Sequence, residues 1–486
     1  MEMSEIAAEQ NARAPRLLVV IASFGEKNLE FLRRITRQYR RMTMRVDVVV
    51  VSEAPKPLDP DIKVIVGLPS RDPWSLPFAH KKIFAENLDN YDLFAYSEDD
   101  IDITEENIKA FLDVTPQLAD GEIAGYLRYE VSSSGLRSLP DVHGGAHWRP
   151  ESVRRRGPHT IAELTNEHAA FYLLTQAQLR QVIASGGFLR APCEGRYDMA
   201  CTAATDPYTN CGFRKVVCIT RLEDFLIHHL SNRYAGKVGV SLCAFEQQVQ
   251  TLIQICDGVH PARTLCDVES KMPGRAWSKS YYEEPSSELL QIIPVDAQTI
   301  LSIGCGWGAT EVQLKRRGAS VTVLPLDSVI GAEAAHFGFE VIYGSMDECF
   351  TQLGERTFDC VLITNLVHLQ RDPIRLLQQS SRFVANAGTI VISGPNLHPI
   401  RLLKRALRIQ NYRKLEDYPL SEIRRSGPKK LATHFRKSGF RVRAIRWYDH
   451  ATIPTFLRRT ISNLGAMSAR GWIFQAGRLP GNNGAI

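Results

Sequence analysis

Two α/β domains are the fold class that this chain predicts, and three observations carry the prediction. Short, strand-length apolar runs alternate with segments of helical period in both halves. Each half ends one such strand in a specialised turn, acidic in the first and glycine-rich in the second. The chain has 486 residues, too many for one ordinary core of about 100–200 residues.

Composition narrows the class. Apolar residues at 44% and charged residues at 23% belong to a folded globular chain, without repeats or low-complexity tracts. The longest apolar runs, LLVVIASF and VDVVVV, fall far short of the roughly 18 residues that suggest a spanning helix. The first residues, MEMSEIAAEQNARAP, are polar and carry acids, unlike a signal peptide, so a cytoplasmic location is expected. The ten cysteines include no C-x-x-C pair, and reduced, partly buried thiols are expected. Charge is uneven: Arg401 to Arg478 holds nineteen Lys and Arg against four Asp and Glu, in a chain of net charge +6. The basic character is therefore local to the C-terminal part.

The first domain opens with RLLVVIASF (Arg16 to Phe24), a buried strand by length and β-branched content. Leu29, Leu32, Ile35 and Tyr39 then recur at helical spacing. VDVVVVSEAP and IKVIVG supply further strands, so a parallel-type sheet is predicted, with Ser23, Phe24 and Glu53 at its carboxyl ends. The strand DLFAY runs directly into Glu98, Asp99 and Asp100, with Asp102 beyond. Adjacent carboxylates at a buried strand end repel one another unless a cation neutralises them. Hard ions such as Mg2+ and Mn2+ take such oxygen ligands and bridge to a diphosphate. The plainer reading is a solvated turn, with Thr104 capping a helix from Glu105.

This layout resembles the GT-A fold glycosyltransferases over roughly Arg16 to Val240, with Glu98 and Asp100 in the two acidic positions of a D-x-D motif. A Glu in the first position departs from that motif. The resemblance implies a mixed sheet with flanking helices, a nucleotide-sugar donor and a divalent metal, Mn2+ or Mg2+, held by Glu98 and Asp100. NEHAAFYLLTQAQLRQVI is similar to the acceptor-side strand and helix of that fold, and RLEDFLIHHL to its later acidic segment. There Asp224 is implied as the base of an inverting reaction. If the segment is helical, Asp224 and His228 share a face. Otherwise Asp224 is a surface carboxylate, and His228 or His229 a satisfied core or surface histidine.

Ala244 to Pro285 reads as connection, interrupted by Gly258, Pro261, Pro273 and Gly274. The expected organisation is a first domain over residues 14–250, a linker over 251–275 and a second domain over 276–478. In TILSIGCGWGATE (Thr299 to Glu311), Gly304, Gly306 and Gly308 allow a strand to turn at once into a helix with its backbone open to close approach. The strand SVTVLPLD, then FDCVLITNLVHLQRDP and GTIVISGPN, follow in order.

That order resembles a class I S-adenosylmethionine-dependent methyltransferase, a Rossmann-like fold, over roughly the last two-fifths of the chain. WSKSYYEEPSSELLQIIP is similar to its leader helix. The resemblance implies S-adenosylmethionine bound by Gly304, Gly306 and Gly308, by Asp327 at the ribose, by Asp347 near the adenine and by Asn365. His368 is the implied base for a hydroxyl acceptor, or else a hydrogen-bonded residue shaping the helix start before Asp372. Two positions depart from the pattern. Pro325 stands where the ribose carboxylate is usual, and Ser345 where an adenine-side acid is common, with Asp327 and Asp347 each two residues later. Either altered loops displace both acids together, or the cofactor site is degraded.

Together the resemblances imply a bifunctional enzyme that transfers a sugar to a glycan or lipid-linked acceptor and methylates a sugar hydroxyl, as in surface-polysaccharide assembly. The alternatives are a methyltransferase whose first half only binds glycan, and a glycosyltransferase with a methyltransferase-like scaffold. Leu402, Leu403, Ala406 and Leu407 share one helical face beside Arg401, Lys404, Arg405 and Arg408, and Phe456 to Met467 repeats the pattern. This basic amphipathic pattern is expected either to touch the inner face of an anionic membrane peripherally or to cover the substrate. No nucleic-acid module is visible, and no nucleic-acid partner is expected.

Overall fold

A computed structural model describes residues 15–272, 275–397, 418–424, 427–450 and 469–479. The chain forms two compact units, Met1–Cys256 and Asp257–Ile486.

In the first unit a five-stranded sheet runs in the order Phe171–Thr175, Leu93–Glu98, Arg16–Ser23, Arg45–Ser52, Lys63–Val66. Four strands are parallel, and Phe171–Thr175 is antiparallel to Leu93–Glu98. The inner strands are apolar on both faces because helices cover both, and Leu17 to Ile21 are buried without interruption. Helix Leu29–Arg40 packs Leu32, Ile35 and Tyr39 inward, as the spacing predicts. A four-stranded and a second five-stranded sheet complete the unit, so it is a mixed α/β structure. In one of them the short strand Ile101–Asp102 pairs antiparallel with Leu226–His229, opposing His229 to Ile101.

The described part of residues 251–275, expected as a linker, is shared between the two units. Thr251 to Cys256 complete helix Leu242–Cys256, and Leu265, Val268 and Met272 are buried in the core of the second unit.

The second unit is built on a seven-stranded sheet in the order Glu340–Val341, Ser320–Pro325, Thr299–Cys305, Phe358–Thr364, Val384–Pro395, Ala469–Arg478, Phe440–His450. The first five are parallel, and Ala469–Arg478 pairs antiparallel with both Val384–Pro395 and Phe440–His450. The chain works outward from Thr299–Cys305 on one side and then resumes on the other with Phe358–Thr364. In open α/β sheets such a reversal leaves a ligand crevice at the strands' carboxyl ends. The expected leader helix is shorter than its sequence suggests: only Ser287–Ile292 is helical, capped by Ser286, and residues 277–285 are turns, bends and irregular chain. The basic stretches Pro399 to Leu415 and Phe456 to Met467 lie outside the described residues. Among the described residues, no helix is long and apolar enough to cross a membrane.

Candidate functional site

In the first unit the strand Leu93–Glu98 delivers its terminal Glu98 and the following Asp99 and Asp100 to different surroundings. Asp99 and Asp100 are only 6% and 7% exposed, so they are not a solvated turn, although Thr104 does cap helix Glu105–Val114 as the plainer reading expects. Asp99 accepts a hydrogen bond from Asn28 Nδ2 at 2.7 Å, and burial pushes its carboxyl up to about 6. Glu98 and Asp99 line a cavity of about 360 Å³ with Phe24, Asn28, Trp74 and Ala22. Glu98 also lies 3.9 Å from Nε2 of the buried His168.

Asp100 turns away to another partner. His229 Nε2 stands 2.9 Å from Asp100 Oδ2, and His229 Nδ1 stands 2.5 Å from Glu130 Oε1. Burial would raise the Asp100 carboxyl, but the hydrogen bond and charge of His229 hold it below its ordinary value. Glu130 is fully buried and also accepts from Tyr234 N at 2.8 Å. Among the described residues, no group of three or more His, Cys, Asp and Glu side chains is arranged to hold a metal ion. The ligands expected of Glu98 and Asp100 are thus drawn to separate partners, and the site as arranged does not fit a divalent ion.

Asp224 is not brought to this place. Residues Ile219–Phe225 form a 3-10 turn kinked at Arg221, and Leu226–His229 is a strand, so Asp224 and His228 share no helical face. Asp224 pairs with Arg221 Nε at 2.7 Å and lines a different cavity, with Glu223, Glu246 and Gln250. The histidine that reaches the acids is His229. Alternation along a strand signals it, because His228 and His229 then face opposite sides of the sheet.

In the second unit the glycine turn forms as expected. Gly304 and Gly308 have φ of +76° and +86°, where a side chain is strained. A Cβ at Gly306 would stand 2.3 Å from a backbone oxygen, and that oxygen belongs to the chain's own Tyr281. Trp307 N donates to the same oxygen at 2.9 Å.

The expected acids are committed elsewhere. Asp327 is the N-cap of helix Ser328–His336, its Oδ1 accepting from Val329 N at 2.8 Å and Ile330 N at 2.9 Å. The cap explains the apparent two-residue shift: this carboxylate answers the orphan amides of a helix start. Ser345 caps Met346–Leu353 in a capping box, and Asp347 is an exposed partner of Arg375 at 3.0 Å. Asn365, at φ +49°, donates to Glu283 Oε1 at 2.9 Å. His368 is buried, Nε2 donates to the Trp277 oxygen at 2.7 Å, and burial pushes its pKa down to about 4. It is therefore neutral at neutral pH, with Nδ1 buried and lacking a hydrogen-bond partner among the described residues. The glycine turn has the strand-to-helix form that suits a nucleoside cofactor, but Tyr281 covers it, and Asp327, Asp347 and Asn365 are engaged within the chain in this conformation.

Residues 301–392 match a family described as a methyltransferase domain. The matched span starts in the strand before the glycine turn and ends in the fifth parallel strand, and S-adenosylmethionine-dependent methyl transfer is the activity it supports. Three solved structures are similar to part of the chain. A SAM-dependent methyltransferase from Archaeoglobus fulgidus is 18% identical at TM-score 0.31, covering 39% of this chain and 90% of its own. An S-adenosylmethionine-dependent methyltransferase from Mesorhizobium loti is 20% identical at TM-score 0.29, covering 39% of this chain and 96% of its own. Magnesium protoporphyrin IX methyltransferase from Synechocystis, with bound SAH, is 14% identical at TM-score 0.29, covering 40% of this chain and 79% of its own. No curated protein matches the chain.

Proposed function

We propose that the second unit is an S-adenosylmethionine-dependent methyltransferase and that the first transfers a sugar from a nucleotide-sugar. Together they would extend a glycan or lipid-linked acceptor and methylate one of its hydroxyls. The observation that carries the first part is the methyltransferase-domain match, which falls on the five parallel strands and the glycine turn. The glycosyl-transfer part is supported by the cavity at the end of Leu93–Glu98, where Glu98 and Asp99 stand with the exposed aromatics Phe24 and Trp74. S-adenosylmethionine supplies an activated methyl group, so a methyltransferase chiefly aligns the acceptor and excludes water. The buried, neutral His368 holds the chain at Trp277, which favours its structural role over its role as a base. No step is assigned to a divalent metal.

A second reading, a methyltransferase-like scaffold without cofactor, is favoured by Pro325 at the usual ribose-acid position and by Asp327 acting as a helix cap. Peripheral membrane contact through the basic C-terminal part belongs to the same proposal. Liposome co-sedimentation of the chain and of a variant with Arg401, Lys404, Arg405 and Arg408 changed to Gln tests it at low and high salt. Titration calorimetry separates the catalytic readings. S-adenosylmethionine binding supports the methyltransferase, and nucleotide-sugar binding with or without Mn2+ supports the glycosyltransferase. Absence of either heat signal removes the corresponding activity from the proposal.

A further inference from the structure

The crevice at the carboxyl ends of the second sheet is crossed by the chain itself. Two stretches of the segment that precedes the sheet, Arg263 to Cys266 and Trp277 to Glu283, lie across successive strand ends. The first binds beyond Ser320–Pro325. Leu265 N donates to the Leu326 oxygen at 2.9 Å, Ser328 N donates to the Arg263 oxygen at 2.9 Å, and Arg263 N donates to Ser328 Oγ at 2.7 Å. The Leu265 oxygen then accepts from Met346 N at 3.1 Å, reaching past the Glu340–Val341 strand. The second stretch binds beyond the central strands. Tyr281 covers the glycine turn through its oxygen, and Trp307 Nε1 donates to the Glu283 oxygen at 2.7 Å.

Lys279 anchors this second stretch. Its ammonium is fully buried and donates to the Thr364 oxygen at 2.8 Å, to Thr364 Oγ1 at 3.0 Å and to Glu283 at 3.0 Å. Leu265 and Tyr281 are 3% and 1% exposed and pack in the same core as Leu301, Ile303 and Leu326. Two non-glycine residues of the segment, Arg275 and Trp277, have φ of +50° and +67°. Such strain persists only where surrounding contacts hold it, and it is common at switch segments.

We propose that this segment is an internal strap that occupies the cofactor crevice and must leave it before S-adenosylmethionine binds. The inference rests on the methyltransferase reading of the second unit. A chain whose binding-competent form is a minor population has its affinity reduced by that fraction. Loosening the strap therefore tightens binding.

The test uses the full chain and S-adenosylmethionine as the probe. Binding is measured by titration calorimetry for wild type and Lys279→Ala, with thermal unfolding to establish that the variant folds. Hydrogen exchange of wild type is followed in peptides covering 263–266 and 277–283, with and without the ligand. The proposal expects Lys279→Ala to bind at least about tenfold more tightly, as the open fraction rises, and saturating ligand to speed exchange in both strap peptides. Binding by wild type with unchanged or slowed strap exchange overturns the strap and leaves the methyltransferase standing, even if Lys279→Ala does not fold. Binding by neither protein overturns both, and the segment is then a permanent part of a cofactor-free scaffold.

Discussion

His229 Nε2 stands 2.9 Å from Asp100 Oδ2, while the other ring nitrogen meets the fully buried Glu130. One imidazole thus holds two carboxylates away from water. Replacing it by alanine strands both acids, and an unsatisfied buried polar group costs about 1–3 kcal/mol, more when it is charged. His229→Ala is expected to destabilise the first unit by that order in urea unfolding. A loss under about 1 kcal/mol, the range of exposed pairs, would show that water reaches the acids. Because the Asp100 carboxyl is held below its ordinary value, its contribution is present above the unfolded pKa of 3.8 and is lost as pH falls through the folded value.

Asp99 has the opposite sign. Its carboxyl is pushed from 3.8 up to about 6, chiefly by burial, so the folded state binds more protons across that window. Stability of the first unit therefore falls as pH rises from 3.8 to about 6. At about 1.4 kcal/mol for each pH unit between the two values, the upper bound is ~3 kcal/mol. Asp99→Asn removes this dependence and is expected to stabilise the first unit at pH 7. Unfolding midpoints measured from pH 4 to 8 check it: a variant curve parallel to wild type refutes the assignment.

The β-branched and apolar runs announced the strands of both units because parallel strands buried on both faces leave little else in their sequence. The glycine turn was legible for a similar reason, since Gly304 and Gly308 adopt left-handed backbone that other residues rarely accept. What could not be read was which acid does what. Asp327 resembles a displaced ribose ligand in sequence, yet a carboxylate just before a helix is equally a cap, and only the backbone amides of Val329 and Ile330 decide. RLEDFLIHHL misled in another way: spacing of four suggests a helix, whereas pairing with Ile101–Asp102 makes its end a strand and turns His229 to Asp100. Lys279 gave no local signal at all, because its partner Thr364 is distant in sequence.

Gly306 tests how tightly the segment before the sheet is held. An added Cβ would stand 2.3 Å from the Tyr281 oxygen, a backbone atom that cannot swing aside as a side-chain tip does. Gly306→Ala is expected to destabilise the second unit by about 1–3 kcal/mol, the usual range for overpacking. Gly427→Ala serves as the comparison, since its Cβ meets nothing within 4 Å and, like Gly306, it is not among the glycines of positive φ. Thermal unfolding of the two variants should therefore differ, with Gly306→Ala the lower; equal midpoints would mean that Tyr281 yields without cost.

His368 gives the second unit a pH dependence of its own. Burial lowers its pKa from 6.5 to about 4, so the unfolded chain takes up a proton that the folded state refuses. The stability it permits is complete above pH 6.5 and is lost as pH falls toward 4. His368→Gln keeps an N–H donor for the Trp277 oxygen and does not titrate, so it is expected to flatten this limb. Unfolding midpoints between pH 4 and 7 that remain as steep as wild type would place the lost stability on another group.

The sharpest separation of capping from cofactor binding comes at Asp327. Its Oδ1 accepts two amides at the start of Ser328–His336, and the side chain is 2% exposed. As a cap, it is worth about 0.5–2 kcal/mol relative to alanine, and asparagine substitutes for it with little loss. As a ribose ligand it depends on its charge, because hydrogen bonds to an ionised acceptor are roughly twice as strong as neutral ones. Asp327→Asn and Asp327→Ala thus respond differently in two measurements. Thermal unfolding of the second unit is expected to drop for Asp327→Ala and to stay near wild type for Asp327→Asn. S-adenosylmethionine affinity, read in the same proteins, is expected to be unchanged in Asp327→Asn. A fall in affinity of tenfold or more in that variant, about 1.4 kcal/mol, with no change in unfolding, would return Asp327 to the ribose and require its carboxylate to leave the helix start when ligand binds.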